Sequence, residues 1–209
     1  MSLARRRRTL TITAIGSLAI VALATGCGGS DSAKNETATT TTAAPTTTAA
    51  PATTTSVDPG TLPQTDQKPT ASGAGFDARM SALANAIITN DPNLGLSSFF
   101  PVEAYKQTKK NTNPAADWQN RLIANFKVDI ADANRKLGPD AKSAVFKGVR
   151  VPETAVWVKP GEEYNVGPYW RVFKAQMDFA VDGRTVSIPI ESMISWRGQW
   201  YVVHLGTIR

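Results

Sequence analysis

The sequence predicts an α+β domain, helices first and an antiparallel sheet after them, preceded by a disordered tether. Three observations carry this. Apolar residues recur at spacings of three and four between Phe76 and Leu137, and the period falls to two from Ala144 onward. Before Phe76, residues 31–75 are dominated by Thr, Ala, Pro, Ser and Gly.

The chain opens with four arginines at positions 5 to 8, an uncharged and largely apolar run from Leu10 to Ala24, then small residues and Cys27. That order is the layout of a secretory signal. A helix of roughly 15 residues covers about 23 Å, short of a hydrocarbon core about 30 Å thick. Leu23-Ala24-Thr25-Gly26-Cys27 resembles the lipobox of bacterial lipoproteins, with Ala24 where leucine is commonest. The resemblance implies cleavage before Cys27, a diacylglycerol thioether on its sulfur, and a place on the outer, extracytoplasmic face of the cell membrane. Residues 1–26 then read as a lipoprotein signal peptide and residues 27–75 as a lipidated cysteine followed by a disordered linker. An uncleaved anchor helix and an ordinary signal leaving a free thiol are the alternatives. None of these makes Cys27 catalytic: it is the only cysteine, it has no disulfide or CxxC partner, and no histidine or carboxylate stands at metal-ligand spacing. No metal and no cofactor is expected.

The formal charge of +6 suggests nucleic acid until the signal is set aside. Residues 76–209 hold 17 Lys plus Arg against 13 Asp plus Glu, with no basic stripe, so a nucleic-acid partner is not expected. Thr37 to Thr55, TATTTTAAPTTTAAPATTT, buries too little apolar surface to offset backbone ordering. A flexible coil of about 45 residues spans roughly 35 to 40 Å, enough to clear a lipid headgroup layer.

The domain, residues 76–209, begins with Phe76, Met80, Leu83, Ala84, Ile87 and Ile88 on one helical face, stopped by Asn90-Asp91-Pro92. Pro101 opens a second short helix. The main helix has Asn113 as N-cap, Pro114 at its first position and Gly138 as its stop, with Trp118, Leu122, Phe126, Ile130, Ala133 and Leu137 facing the core.

Asp182-Gly183 and Arg197-Gly198 each lie between β-rich runs and predict two-residue hairpin loops. The meander runs from Tyr169 to Val181, Arg184 to Trp196, and Gln199 to Gly206. Two-residue loops fix the register: Val181 faces Arg184, Phe179 faces Val186, Met177 faces Ile188, and Ala175 faces Ile190. The inward face then carries Phe173, Ala175, Met177, Phe179, Val186, Ile188, Ile190, Ile194, Trp196, Tyr201, Val203 and Leu205. The outward face shows Trp170, Ser195 and Trp200 in one row and Val172, Met193 and Val202 in the next. This is a candidate interaction surface, its alternative being a second covering layer such as the 152–168 segment. A third row, Lys174, Glu191 and His204, reads either as a cross-strand ion pair or as a dyad.

Helices followed by a meander that ends in Trp196-Arg197-Gly198-Gln199-Trp200-Tyr201-Val202-Val203 resemble the NTF2-like cone fold, which includes ketosteroid-isomerase-like domains. The resemblance implies helices packed on a curved antiparallel sheet, with a pocket lined here by Trp118, Phe173, Ile194 and Tyr201. Catalytic members need an acid or base facing that pocket. The inward face has Tyr201 and Ser192 but no carboxylate, so no catalytic residue is assigned. The whole layout also resembles secreted lipoproteins of high-GC Gram-positive bacteria. The expectation is a membrane-anchored, non-catalytic binding or interaction module, with an envelope protein or a second copy as partner. The alternative is a carrier of a small apolar ligand, or a cone-fold enzyme, using the pocket.

Overall fold

The computed structural model describes residues 57–208. The expected signal peptide, the expected lipidation site Cys27 and the threonine-rich tract through Ser56 lie outside the described residues. Helix α1 (Ala74–Thr89) buries Phe76, Met80, Leu83, Ala84 and Ile87. It stops at Asn90, whose left-handed backbone (φ 55°) turns its N–H back to the carbonyls of Ala86 and Ile87. A 3-10 stretch (Pro92–Ser98) follows, started by the Asp91 carboxylate accepting from the Asn93 N–H. Gly95 lies in a close crossing here, since a Cβ would come within 3.0 Å of Ala86 Cβ and 3.1 Å of Phe126 Cζ. Helix α2 (Val102–Thr108) has Pro101 at its N-cap.

The main helix is continuous but not uniform. It begins as α3 (Pro114–Asp117), passes through a π-helical segment (Trp118–Ile123) and ends as α4 (Ala124–Leu137) at Gly138. The Asn113 side chain accepts from the Ala116 N–H as the cap. Trp118, Leu122, Phe126 and Ile130 are spaced by fours, so at 3.6 residues per turn the stripe drifts by about 40° at each step. Widening the turn between Trp118 and Ile123 offsets that drift and keeps the stripe on the core, where Leu122, Phe126 and Ile130 are buried.

The sheet is antiparallel with order β1-β3-β4-β5, and β2 also pairs with β3. Strand β1 (Val145–Arg150) lies along residues 176–180 of β3 (Tyr169–Val181), while β2 (Val156–Val158) lies along residues 169–171. Strands β4 (Arg184–Trp196) and β5 (Gln199–His204) complete the meander. Both turns have positive φ at both central residues, 46° and 70° at Asp182-Gly183 and 50° and 69° at Arg197-Gly198, which is the type I′ pattern. The register of β3 on β4 is the one the turn arithmetic predicts, from Val181 opposite Arg184 to Ala175 opposite Ile190. Met177, Phe179, Ile188 and Ile190 are buried in one core with α1 and α4.

Simple alternation fails at two places. Lys174 sits at φ 62°, and around it Phe173 and Lys174 are both exposed between buried Val172 and buried Ala175. On β5 the register slips, with Met193 opposite Val202 but Ser192 opposite His204, leaving Val203 as the extra residue of a bulge. Phe173 is therefore 38% exposed rather than core.

The expected outward surface is not a surface. Val172, Met193, Trp200 and Val202 are all buried, and Trp170 is half-buried. The tryptophans are enclosed both from within the sheet and from beyond it. Trp157 of β2 packs its ring 5.5 Å from that of Trp170. Residues 57–73, expected to belong to the linker, instead cross the sheet as a strap. Trp170 donates its indole N–H to Asp66 O (2.9 Å), Lys68 Nζ lies 5.3 Å from the Trp170 ring, and Trp196 donates to Pro59 O (2.8 Å). The Gln64 amide donates to Ser195 O (2.9 Å) and accepts from the Arg197 N–H (2.6 Å). Gly198 allows close passage here, because a Cβ would come within 2.6 Å of Gln67. The linker boundary at residue 75 is thus corrected: the chain is bonded to the sheet from Pro59 onward. Composition missed it because the strap is held by polar groups that only the folded sheet presents.

Candidate functional site

A cleft of about 440 Å³ opens between the helices and the sheet. Its walls come from six places in the sequence. Lys109 closes α2 in an extended conformation and bridges antiparallel to Asn165, which holds the 159–168 loop beside it. The loop is pinned further by Lys110 N–H to Tyr164 O (2.7 Å) and Val166 N–H to Thr108 O (2.8 Å). Arg121 comes from the π segment, where the widened turn places it beside α2. Tyr169, Arg171 and Phe173 alternate along β3; Ser192 and Ile194 come from β4; Val203 and His204 come from the β5 bulge.

The polar side chains form two connected sets. In the first, Lys109 Nζ donates to the Tyr169 hydroxyl (2.6 Å), which donates to Glu163 Oε2 (2.9 Å), and Glu163 is ion-paired with Arg171. Arg171 stacks over Phe173 (4.3 Å), and its Nε–H is buried with no hydrogen-bond partner. In the second, Arg121 grips Asp117 through Nε (2.8 Å) and Nη2 (2.6 Å), and Tyr105 donates to the same carboxylate (2.5 Å). Asp117 is held below the usual carboxylate range, chiefly by Arg121.

Lys109, Lys110, Arg121 and Arg171 line the cleft against one lining carboxylate, Glu163. Crowding is felt in the protonation equilibria. Burial, with Arg121 and Arg171 adding repulsion, pulls Lys109 down to about 8. Burial pushes the Tyr169 hydroxyl up to about 12, and burial with the Asp117 bond pushes Tyr105 higher still. Burial, with repulsion from Arg121 and Lys109, drops His204 to about 4. Its imidazole is neutral at pH 7 and shares a hydrogen bond through Nδ1 with Ser192 Oγ (2.8 Å).

Of the expected pocket residues, Phe173 and Ile194 line the cleft. Trp118 and Tyr201 do not. Trp118 donates to Phe100 O (2.8 Å) and packs edge-on to Phe99, while Tyr201 packs against Phe100 with the Arg79 guanidinium 4.9 Å above its ring. The expected third row divides. Lys174 pairs with Glu191 (2.7 Å), and the bulge at Val203 carries His204 to Ser192 instead. The lining, expected to be apolar, is mixed and cationic. Lys109, Arg121, Tyr105, Tyr169, Glu163 and Arg171 escaped sequence reasoning because no local pattern joins them. Among the described residues, no group of three or more His, Cys, Asp or Glu side chains could hold a metal ion.

No family model, curated protein or solved structure matches this chain. The cleft must therefore be read from its own chemistry.

Proposed function

We propose that this protein is a binding module tethered to the outer face of the cell membrane, and that its cleft takes a small anion with an apolar body. The observation that carries this reading is the lining: four cationic side chains against one carboxylate, beside Leu122, Phe173, Ile194 and Val203. A charged headgroup finds Arg171 and Lys110, and an apolar body finds those four side chains. The alternative of a purely apolar cargo fits less well, since it would cover Lys109 and Lys110, which make no ion pair among the described residues, without bringing a counter-charge.

The tether belongs to the same proposal. The lipobox-like run ending at Cys27 supports a lipid anchor, and the threonine-rich tract supports a spacer between anchor and domain. No helix of the described residues is long and apolar enough to cross a membrane. The NTF2-like cone is our reading of the architecture, supported by helices on a bulged antiparallel sheet that leave a cleft between them.

Saturation-transfer NMR of the full chain with 4-phenylbutyrate and with 4-phenylbutan-1-ol tests the cleft. The acid is expected to bind at least tenfold more tightly, and equal binding of acid and alcohol would remove the case for an anion site. Membrane fractionation of Cys27→Ser tests the anchor: the variant is expected to leave the membrane fraction, and its persistence there as a lipid-labelled mature species would overturn it.

A further inference from the structure

Lys109 is the one lining cation whose amine is held by a hydroxyl. Arg121 is gripped by Asp117 and Arg171 is paired with Glu163, but the hydrogen bond of Lys109 Nζ goes to Tyr169. The ammonium also lies 4.6 Å from the Tyr169 ring. The Tyr169 hydroxyl accepts from the amine and donates to a carboxylate, so one group on the cleft wall can take a proton and give one. Beside it stand Lys110 and Arg171, the latter with an unpaired Nε–H.

Resting on the anion-binding reading, we propose that Lys109 captures a carbonyl compound: the cleft takes a small 2-oxo acid, sets its carboxylate against Arg171 and Lys110, and presents its carbonyl carbon to Nζ for reversible Schiff-base formation. The amine lone pair forms the C–N bond as the C=O π pair moves to oxygen. One proton then passes from nitrogen to that oxygen through the Tyr169 hydroxyl, which accepts one and releases its own. The carbinolamine hydroxyl then leaves as water, taking the remaining N–H proton through the same Tyr169 hydroxyl, while the nitrogen pair forms the C=N bond. Amine plus carbonyl becomes imine plus water, with no change of oxidation state.

The electrostatic surroundings support the geometry. Nζ is faced by Arg121 from the π segment, Tyr105 from α2, Tyr169 and Arg171 from β3, Glu163 from the loop and His204 from β5. With its amine at about 8, about a tenth of Lys109 is neutral at pH 7, against fewer than about one in a thousand for an ordinary lysine.

The test is reductive trapping on the full chain with pyruvate and cyanoborohydride, read by intact mass and peptide mapping. A single carboxyethyl adduct on Lys109 is expected, forming at least tenfold faster than on any other lysine, with a rate that rises to a midpoint near pH 8. Lys109→Arg is expected to abolish it. Arg171→Gln is expected to lower the ratio of pyruvate to acetaldehyde trapping at least fivefold, since the repulsion it removes from Lys109 acts on both compounds while only pyruvate has a carboxylate to lose. An unchanged ratio overturns the placement of that carboxylate. Adducts spread over many lysines, with Lys109 no faster, overturn the proposal. If 4-phenylbutyrate still binds in that case, only carbonyl capture is lost; if it does not bind, the anion-binding reading falls too.

Discussion

Trp200 and Arg171 belong to one three-stranded meander and meet opposite conditions. Trp200 lies buried among the second layer, near Val151, Pro152 and the strap residues Lys68 and Pro69. Arg171 stands in a cleft where cations outnumber carboxylates. One region spends most of its polar groups on backbone partners, the indole N–H groups of Trp170 and Trp196 and the Gln64 amide among them, and leaves the Thr65 hydroxyl unpaired. The other leaves an Nε–H unpaired and a lysine depressed. Stability is concentrated in the first and unspent chemistry in the second. The difference teaches that a pair of tryptophans is a weak guide to a binding surface when the chain itself can supply their cover.

That contrast breaks most sharply if the tryptophan region is not core. Trp200→Ala is expected to cost about 3–5 kcal/mol, the range for truncating a buried large aromatic, and to shift the urea midpoint accordingly. A loss below about 1 kcal/mol would return Trp200 to the surface. Next in size is the strap. Removing residues 57–72 is expected to cost about 2–4 kcal/mol from several hydrogen bonds at about 0.5–1.5 kcal/mol each plus lost cover, and removing only residues 31–56 is expected to leave the midpoint unchanged. Equal effects of the two deletions would mean the strap does not belong to the fold.

On the cleft side, Arg171→Gln is expected to weaken 4-phenylbutyrate at least tenfold, about 1.4 kcal/mol, with a much smaller change in melting than Trp200→Ala. A comparable loss of stability would show Arg171 to be structural. Acid provides a second probe. His204 takes its proton near 4 in the folded chain and near 6.5 when unfolded. Between those values the unfolded chain holds more protons, so stability falls as pH falls through that window. Allowing for partial exposure, the loss is on the order of 1–2 kcal/mol by pH 4. Urea titrations at pH 7 and 4.5 check it: His204→Gln is expected to flatten the difference.

The smallest effect has the opposite sign. Lys174 pays for a left-handed backbone that glycine adopts freely, so Lys174→Gly is expected to stabilise by about 0.5 kcal/mol despite losing the exposed pair with Glu191. A loss of more than that amount would contradict the positive φ.

The α+β class, the helix from Pro114 to Leu137 and the meander register were legible because each rests on local chemistry. Asn113-Pro114 caps, Gly138 stops, and two residues with positive φ set each hairpin. The backbone turn at Lys174 and the bulge on β5 were not legible, since nothing local marks Lys174 for a left-handed backbone or Val203 as an extra residue. Those two positions decide which side chains enter the cleft, so the site was lost with them. The strap had a faint signal: the Thr/Ala repeat ends at Thr55, and Asp58-Pro59-Gly60 is a capped turn. Its anchoring partners are remote in sequence, 131 residues from Gln64 to Ser195 and 47 from Gly60 to Gln107.

The strap also has a mechanical meaning. Val57 follows directly on the threonine-rich tract, so tension on the chain ahead of it enters the fold through Pro59 and Gln64. Their bonds to Trp196, Ser195 and Arg197 carry the first load. Gly60 adds a second fastening, its carbonyl accepting from the Gln107 amide of α2 (2.7 Å), two residues before Lys109. Tension on the chain ahead of the fold is therefore shared between the β4–β5 hairpin and the helix that ends at the cleft.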